Sequence, residues 1–496
     1  MTPIHIIGIL LTVGLLLTVS ILSGRRVRDA KAFTTGGKSG SWMVCGAILG
    51  TLVGGQSTIG TAQLAFSFGL SAWWFTIGAA LGALVLSVFY AGPIRRSGCS
   101  TLLEIVSREY GQRAETVGSL LFLIGIFISI ISQVLSSAAM ITSLFRLPLV
   151  WAAIISAVLI MFFVLVGGIR SAGAGGIIKL VLLYVACITA GIAACWLCGG
   201  LGNLFREVGE SPFVADASLY RNMLARGPLK DIGGCLSLML GVVTTQTYAQ
   251  GILSGATTAK ARRGGLYCAF LIPFIGAACT LIGIYMRGHY ITADELAALE
   301  AAGSSLPEGM GVIESSLQAF PAFVTNHLPA WLGGIALGAM LVNVMGCGSG
   351  LALGASTIVV RDVLRGWRPR RNLLARNHAD GGNERRLSTL ATTRLCIAGI
   401  LSLAAAAALA VKGTFLNDLG FLSLGLRAVA LLWPLNFALF LPGRFSARHA
   451  MASMIAGTAA MLLAKFLALP ADPVYYGLAI GLLTLLPGIK KRPIKE

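Results

Sequence analysis

Residues 46–74 read GAILGTLVGGQSTIGTAQLAFSFGLSAWW. Gly54, Gly55, Gln56, Ser57, Thr58, Gly60 and Thr61 interrupt an otherwise apolar run in its middle. A helix broken at mid-membrane frees backbone carbonyls and amides, which lipid tolerates only where they line a cavity or bind something. Such breaks hold ions and solutes near the midplane. The chemistry expected here is recognition, with Gln56 and Ser57 as solute contacts. The competing reading is close glycine packing between continuous helices.

A second candidate is Arg427, well inside FLSLGLRAVALLWPLNF. Charge at that depth is costly and faces a cavity or a partner. The planar guanidinium fork suits a carboxylate, sulfonate or phosphate, so an anionic solute anchored by Arg427 is expected. The alternative is an internal pair with Asp418 or with helix carbonyls. Asp418 lies nine residues earlier, off the face of Arg427, so a pair within the helix is disfavoured. Gln133 and Gln246 stand in other apolar runs and are assigned to the same cavity, with Tyr248 behind them. Hydrogen bonding between helices is the alternative for each. Trp73 and Trp74 read as part of an interfacial aromatic belt. No nucleophile–base set stands out. His5, His289, His327, His378 and His449 fall near membrane edges or in loops, so no metal cluster and no enzyme activity are expected. Cys195 and Cys198 form a CxxC on one apolar helix, where packing is the simpler reading.

The elements that must position these residues are membrane helices. Of the 496 residues, 56% are hydrophobic and 11% charged, against about 25% charged in a soluble domain. Thirteen apolar runs are long enough to span a bilayer, which takes roughly 20 residues as a helix. They lie near 4–22, 42–66, 71–92, 116–145, 148–168, 175–199, 232–253, 265–286, 330–359, 391–411, 416–441, 448–468 and 474–488. The first has its positive charge after it, at Arg25, Arg26 and Arg28, which argues against a cleaved signal peptide.

With the N-terminus outside, most of the 38 Lys and Arg fall on inward segments, as insertion requires. An inner or plasma membrane location follows, with the C-terminus cytoplasmic. The same asymmetry accounts for the +19 charge without nucleic acid. The basic stretch Arg361–Arg394 is suited to anionic lipid. No GxxxxGK[ST] occurs, so ATP-driven pumping is not expected.

Three further motifs give these features a family. Ser57-Thr58-Ile59-Gly60 runs on to Ala65-Phe66 and Gly69-Leu70. Gly167-Gly168-Ile169-Arg170 forms a turn before the run at 175–199. Ala355-Ser356-Thr357-Ile358, with Asp362, closes the run at 330–359. In this order the chain resembles the sodium:solute symporter family, which includes proline, pantothenate and sodium/glucose carriers, over about residues 10–440. The resemblance implies an all-α membrane fold with two inverted five-helix, LeuT-like repeats, one helix before them and two after. The expected divisions are 1–41 (extra helix and basic loop), 42–200 (first repeat), 201–231 (external loop), 232–441 (second repeat, with an external loop at 287–329 and a basic loop at 360–390) and 442–496 (two helices and a basic tail). It implies alternating access by a secondary active transporter of a small organic solute. A membrane sensor or scaffold is the runner-up, disfavoured by the short tail after 488.

In the family a sodium ion sits between carbonyls of the broken helix, here Gly50 and Val53, and a carbonyl and two hydroxyls that fall here on Asn343, Gly346 and Cys347. Gly346 and Cys347 supply no hydroxyl, and sodium, a hard cation, prefers oxygen. Where many members carry an acidic residue and a Gln, this chain has Gly176 and Lys179. The resemblance therefore leaves two readings for the coupling ion. Sodium is the family's ion; alternatively a Lys179 ammonium replaces it, as in some amino-acid transporters of the same broad fold, and the coupling ion is a proton. Lys179 reaching to the headgroups is the competing reading. No organic cofactor is expected.

Overall fold

A computed structural model describes residues 2–26, 39–167, 174–360, 382–411 and 413–490. Gly168 to Arg170, Asp362 and most of the basic stretches lie outside the described residues.

The described part of each of the thirteen apolar runs is largely helical, two of the runs being split by a break. In chain order the principal helices are α1 (Pro3–Arg26), α2 (Ser41–Leu52), α3 (Thr61–Phe68), α4 (Trp74–Val85), α5 (Gln112–Phe145), α6 (Leu149–Gly167), α7 (Ala174–Leu197), α8 (Pro228–Thr244), α9 (Gln246–Ser254), α10 (Thr258–His289), α11 (Ala330–Ile358), α12 (Gly382–Ala410), α13 (Leu416–Phe440), α14 (Ala447–Phe466) and α15 (Pro473–Leu485). By length and composition eight described helical stretches can cross a membrane, or nine if the bent pair α8–α9 is one span. The protein is a multi-pass membrane protein. The β structure among the described residues is small: Tyr290–Thr292 pairs in parallel with Gly311–Ile313, outside the spans.

Among the described residues, two breaks interrupt the spans. After α2, Val53 is extended (φ −88°, ψ 97°), and the chain resumes as a wide-turned helix at Gln56–Gly60 leading into α3. Between α8 and α9, Thr245 is extended (φ −86°, ψ 124°), and the two helices bend by 51°. Small residues let the surrounding helices close on these breaks. A methyl on Gly78 of α4 would meet the Cys235 carbonyl of α8 at 2.7 Å. One on Gly8 of α1 would lie 3.0 Å from Gly334 of α11. Contacts of α5 with α11 and α13, and of α7 with α2, α10 and α11, complete the packing around the first break.

Candidate functional site

The first break is held by side chains rather than by helix hydrogen bonds. Freed backbone groups must find partners in the protein. The Ser57 hydroxyl accepts from the Gly54 N–H at 3.1 Å and donates to the Leu52 carbonyl at 3.2 Å. Gln133 Oε1 of α5 accepts from the Gly55 N–H at 3.3 Å. Asn343 Nδ2 of α11 donates to the Val53 carbonyl at 2.7 Å. Thr58 Oγ1 donates to the Gly54 carbonyl at 3.0 Å.

Beside these groups sits Lys179. Its Nζ is 3.4 Å from the Gly50 carbonyl and 3.5 Å from the Asn343 carbonyl. A methyl on Gly346 would lie 3.0 Å from Nζ, so the missing side chain there makes room for the ammonium. The amine thus turns into the bundle rather than out to the headgroups. Cys347 Sγ lies 3.5 Å from the Gly50 carbonyl and 3.6 Å from that of Val53. Ser349, one turn on, directs its hydroxyl back to the Gly346 carbonyl at 2.9 Å. Gly50, Val53, Asn343, Gly346, Cys347 and Lys179, chosen from the sequence as one cation site, meet in space. Asn343 Oδ1 is buried there without a hydrogen-bond partner among the described residues.

Arg427 is 2% exposed and lies between α13 and α5. Its Nη2 donates to Ser423 Oγ at 2.7 Å, to Ser129 Oγ, and more weakly to the Gly125 carbonyl at 3.4 Å. Its guanidinium lies 5.7 Å over the Phe122 ring. Nε has no partner among the described residues. Asp418 pairs instead with Arg226, at 2.5 Å, which removes it as a partner of Arg427. Carboxylates on the long described helices stand in first turns, as Glu115, Asp231 and Asp418 do. Among the described residues, the deep charges Arg427 and Lys179 are both positive.

Three assignments from the sequence change. Ser57 and Gln133 were expected to contact solute, but their oxygens are engaged by the backbone of the break. Gln246 does not join the group around the first break: its Oε1 accepts from the Leu102 N–H at 2.7 Å and its Nε2 donates to the Ser100 carbonyl at 3.3 Å. On a helix, residues two apart point about 200° apart, so Tyr248 faces inward where Gln246 does not. Tyr248 is buried. Gln56 remains a candidate contact: its Nε2 is buried without a partner among the described residues, and its side chain lies against Gly420. The second break was missed. Its signal was the polar Thr244-Thr245-Gln246 run, and Thr245 Oγ1 is also buried without a partner among the described residues. The Trp73 and Trp74 indoles are pinned within the protein, donating to the Pro273 and Met223 carbonyls at 2.8 and 2.6 Å.

A model of the sodium:solute symporter family matches residues 33–457. The chain belongs to this family. Among its relatives within curated proteins are the high-affinity choline transporter 1 of Torpedo marmorata, 26% identical over 351 residues (67% of this chain, 56% of that protein), and that of Homo sapiens, 24% identical over 352 residues (69% and 57%). The uncharacterized symporter YwcA of Bacillus subtilis is 25% identical over 232 residues (46% and 45%). The chain thus spans little more than half the length of the choline transporters it matches. Among solved structures, a Na+-coupled sialic acid symporter in a substrate-bound outward-open state superposes with a TM-score of 0.72 at 16% identity, over 99% of this chain and all of that one. At that identity the likeness establishes the fold, a helical LeuT-like bundle, in this symporter family member.

Proposed function

We propose that the protein is a secondary active transporter that carries a small organic anion by alternating access around its two breaks. Arg427 anchors the anion, with Gln56 and Tyr248 as further contacts. The Lys179 ammonium takes the cation's place, and its proton is the coupling ion. The observation that carries this reading is the position of Nζ, 3.4 Å from Gly50 O and 3.5 Å from Asn343 O. Those are the carbonyls a sodium ion would use, beside two residues that offer it no hydroxyl. The anionic charge rests on Arg427, a buried cation without a described carboxylate beside it. Such a group is costly unless a partner arrives. The location we propose is the inner or plasma membrane, N-terminus outside, with lipid at the basic inner face. The relatives named for choline carry a cation, and that difference is open to direct test.

Sodium coupling is the second reading. It is favoured by family membership and by the unpartnered Asn343 Oδ1, an oxygen suited to a hard cation. Uptake into proteoliposomes under separate sodium and proton gradients decides between the two. Thermal-shift screening against carboxylates, sulfonates, amino acids, sugars and choline identifies the solute class. Stabilisation by choline alone overturns the anion; uptake that tracks sodium and survives Lys179→Ala overturns the lysine.

A further inference from the structure

Cys198 and Glu207 lie nine residues apart and His289 is distant from both in sequence, yet their ligand atoms lie within 4.8 Å of one another. Cys198 follows the end of α7, Glu207 sits on the short helix Leu201–Glu210, and His289 is the last residue of α10. All three therefore stand at the end of the bundle that the charge pattern puts outside. Cys198 is buried, while His289 and Glu207 are each about one-third exposed.

The hydrogen bonding leaves this group incomplete. His289 Nδ1 lies 3.0 Å from the Tyr285 carbonyl. A carbonyl only accepts, so Nδ1 carries the proton, and in the neutral ring Nε2 presents a lone pair. That lone pair faces Glu207 Oε2 at 3.6 Å. The carboxylate oxygen is itself buried with no hydrogen-bond partner among the described residues. With the ring neutral, two electron-pair donors oppose each other beside a thiol, an arrangement that either a proton on Nε2 or a metal ion relieves. The imidazole is held in plane by stacking on Tyr285, with centroids 4.3 Å apart and planes at 16°. A ring N–H given to a backbone carbonyl is also the contact that orients metal-ligating histidines.

We propose that Cys198 Sγ, Glu207 Oε2 and His289 Nε2 form a binding site for a divalent transition metal, best matched by Zn2+, with water in the fourth position. The mixed sulfur, nitrogen and oxygen set suits zinc. Zinc bonds of about 2.0–2.3 Å put tetrahedral ligand atoms about 3.3–3.8 Å apart. The His289–Glu207 pair is already there, and the partly exposed Glu207 side chain can turn to close the rest. Binding releases the Cys198 proton to solvent. The ion would tie the outer ends of α7 and α10 to the external helix between them.

The test uses the full chain, purified in detergent and stripped with EDTA. Calorimetric titration with Zn2+ near neutral pH should show one saturable site with proton release. Cys198→Ser, Glu207→Gln and His289→Ala should each weaken it by more than about tenfold; His449→Ala, on the other face, should not. Co2+ in the parent should give a thiolate charge-transfer band that Cys198→Ser lacks. The parent spectrum reports on the site even where a variant fails to fold. Absence of that band, or Zn2+ binding unchanged in both the Cys198 and His289 variants, overturns the proposal.

Discussion

If the Lys179 ammonium stands in for sodium, removing it should create a sodium site. A sodium ion on the Gly50 carbonyl would bond at about 2.4 Å, as hard cations of similar size do. Lys179 Nζ is 3.4 Å from that oxygen, so ion and ammonium could be no more than about 5.8 Å apart. At an effective dielectric constant of about 20 the repulsion is at least about 3 kcal/mol, or roughly 100-fold in affinity. Lys179→Ala deletes this repulsion and leaves the Gly50, Val53 and Asn343 oxygens free to coordinate. The purified variant should therefore bind sodium at least about 100-fold more tightly than the parent. The assay is intrinsic tryptophan fluorescence and thermal unfolding against NaCl, with ionic strength held by N-methylglucamine chloride. Adding Gly346→Ser in the Lys179→Ala background supplies a hydroxyl and should tighten binding further. In the parent the same serine would crowd the ammonium, because its Cβ would lie 3.0 Å from Nζ. Equal sodium affinity in parent and Lys179→Ala would refute this reasoning, because the repulsion is an unavoidable consequence of an ammonium at that place.

Other consequences can be measured independently. Arg427→Gln removes the guanidinium and should lower anion uptake by about 30- to 150-fold, given about 2–3 kcal/mol for a buried charge-assisted hydrogen bond; transport equal to the parent's refutes the anchor. A methyl at Gly55 would collide with Ser136 Oγ, so Gly55→Ala should destabilise by about 1–3 kcal/mol, seen as a lower Tm. Outside the membrane, Arg287 Nη1 binds both Glu295 oxygens at 2.7 and 3.0 Å. Burial pushes the Glu295 carboxyl up, but the Thr292 N–H and the Arg287 guanidinium outweigh it and hold the group below its ordinary 4.5. Its stabilisation is then complete above the unfolded value and lost as pH falls through the lower folded one. The parent's Tm should drop below about pH 4.5, and Glu295→Gln should flatten that part of the profile; an unchanged profile argues against the pair.

The bundle was legible in the sequence because its signals are local, and the grouping of the six candidate cation-site residues followed from the family resemblance. Apolar runs of bilayer length announce the helices, and charge asymmetry between loops sets their expected orientation. Gly54 to Thr61 announced a break, because lipid cannot satisfy free backbone groups. Motif positions then put Gly50, Val53, Lys179, Asn343, Gly346 and Cys347 together before any distance was known. What stayed hidden depends on which face a side chain takes and on what meets it from elsewhere. Lys179 reads equally well as a headgroup anchor until Nζ is seen beside Gly50 O. Gln246 and Tyr248 are two residues apart and face opposite ways, so only packing separates a loop clamp from a buried residue. Ser57 and Gln133 were taken for solute contacts because the sequence does not tell which polar groups the break itself consumes. Cys198, Glu207 and His289 share no motif, since their proximity arises only when α7, the external helix and α10 end at the same place. Periodicity and composition record what one segment requires of its solvent; they carry nothing about partners that arrive through the fold.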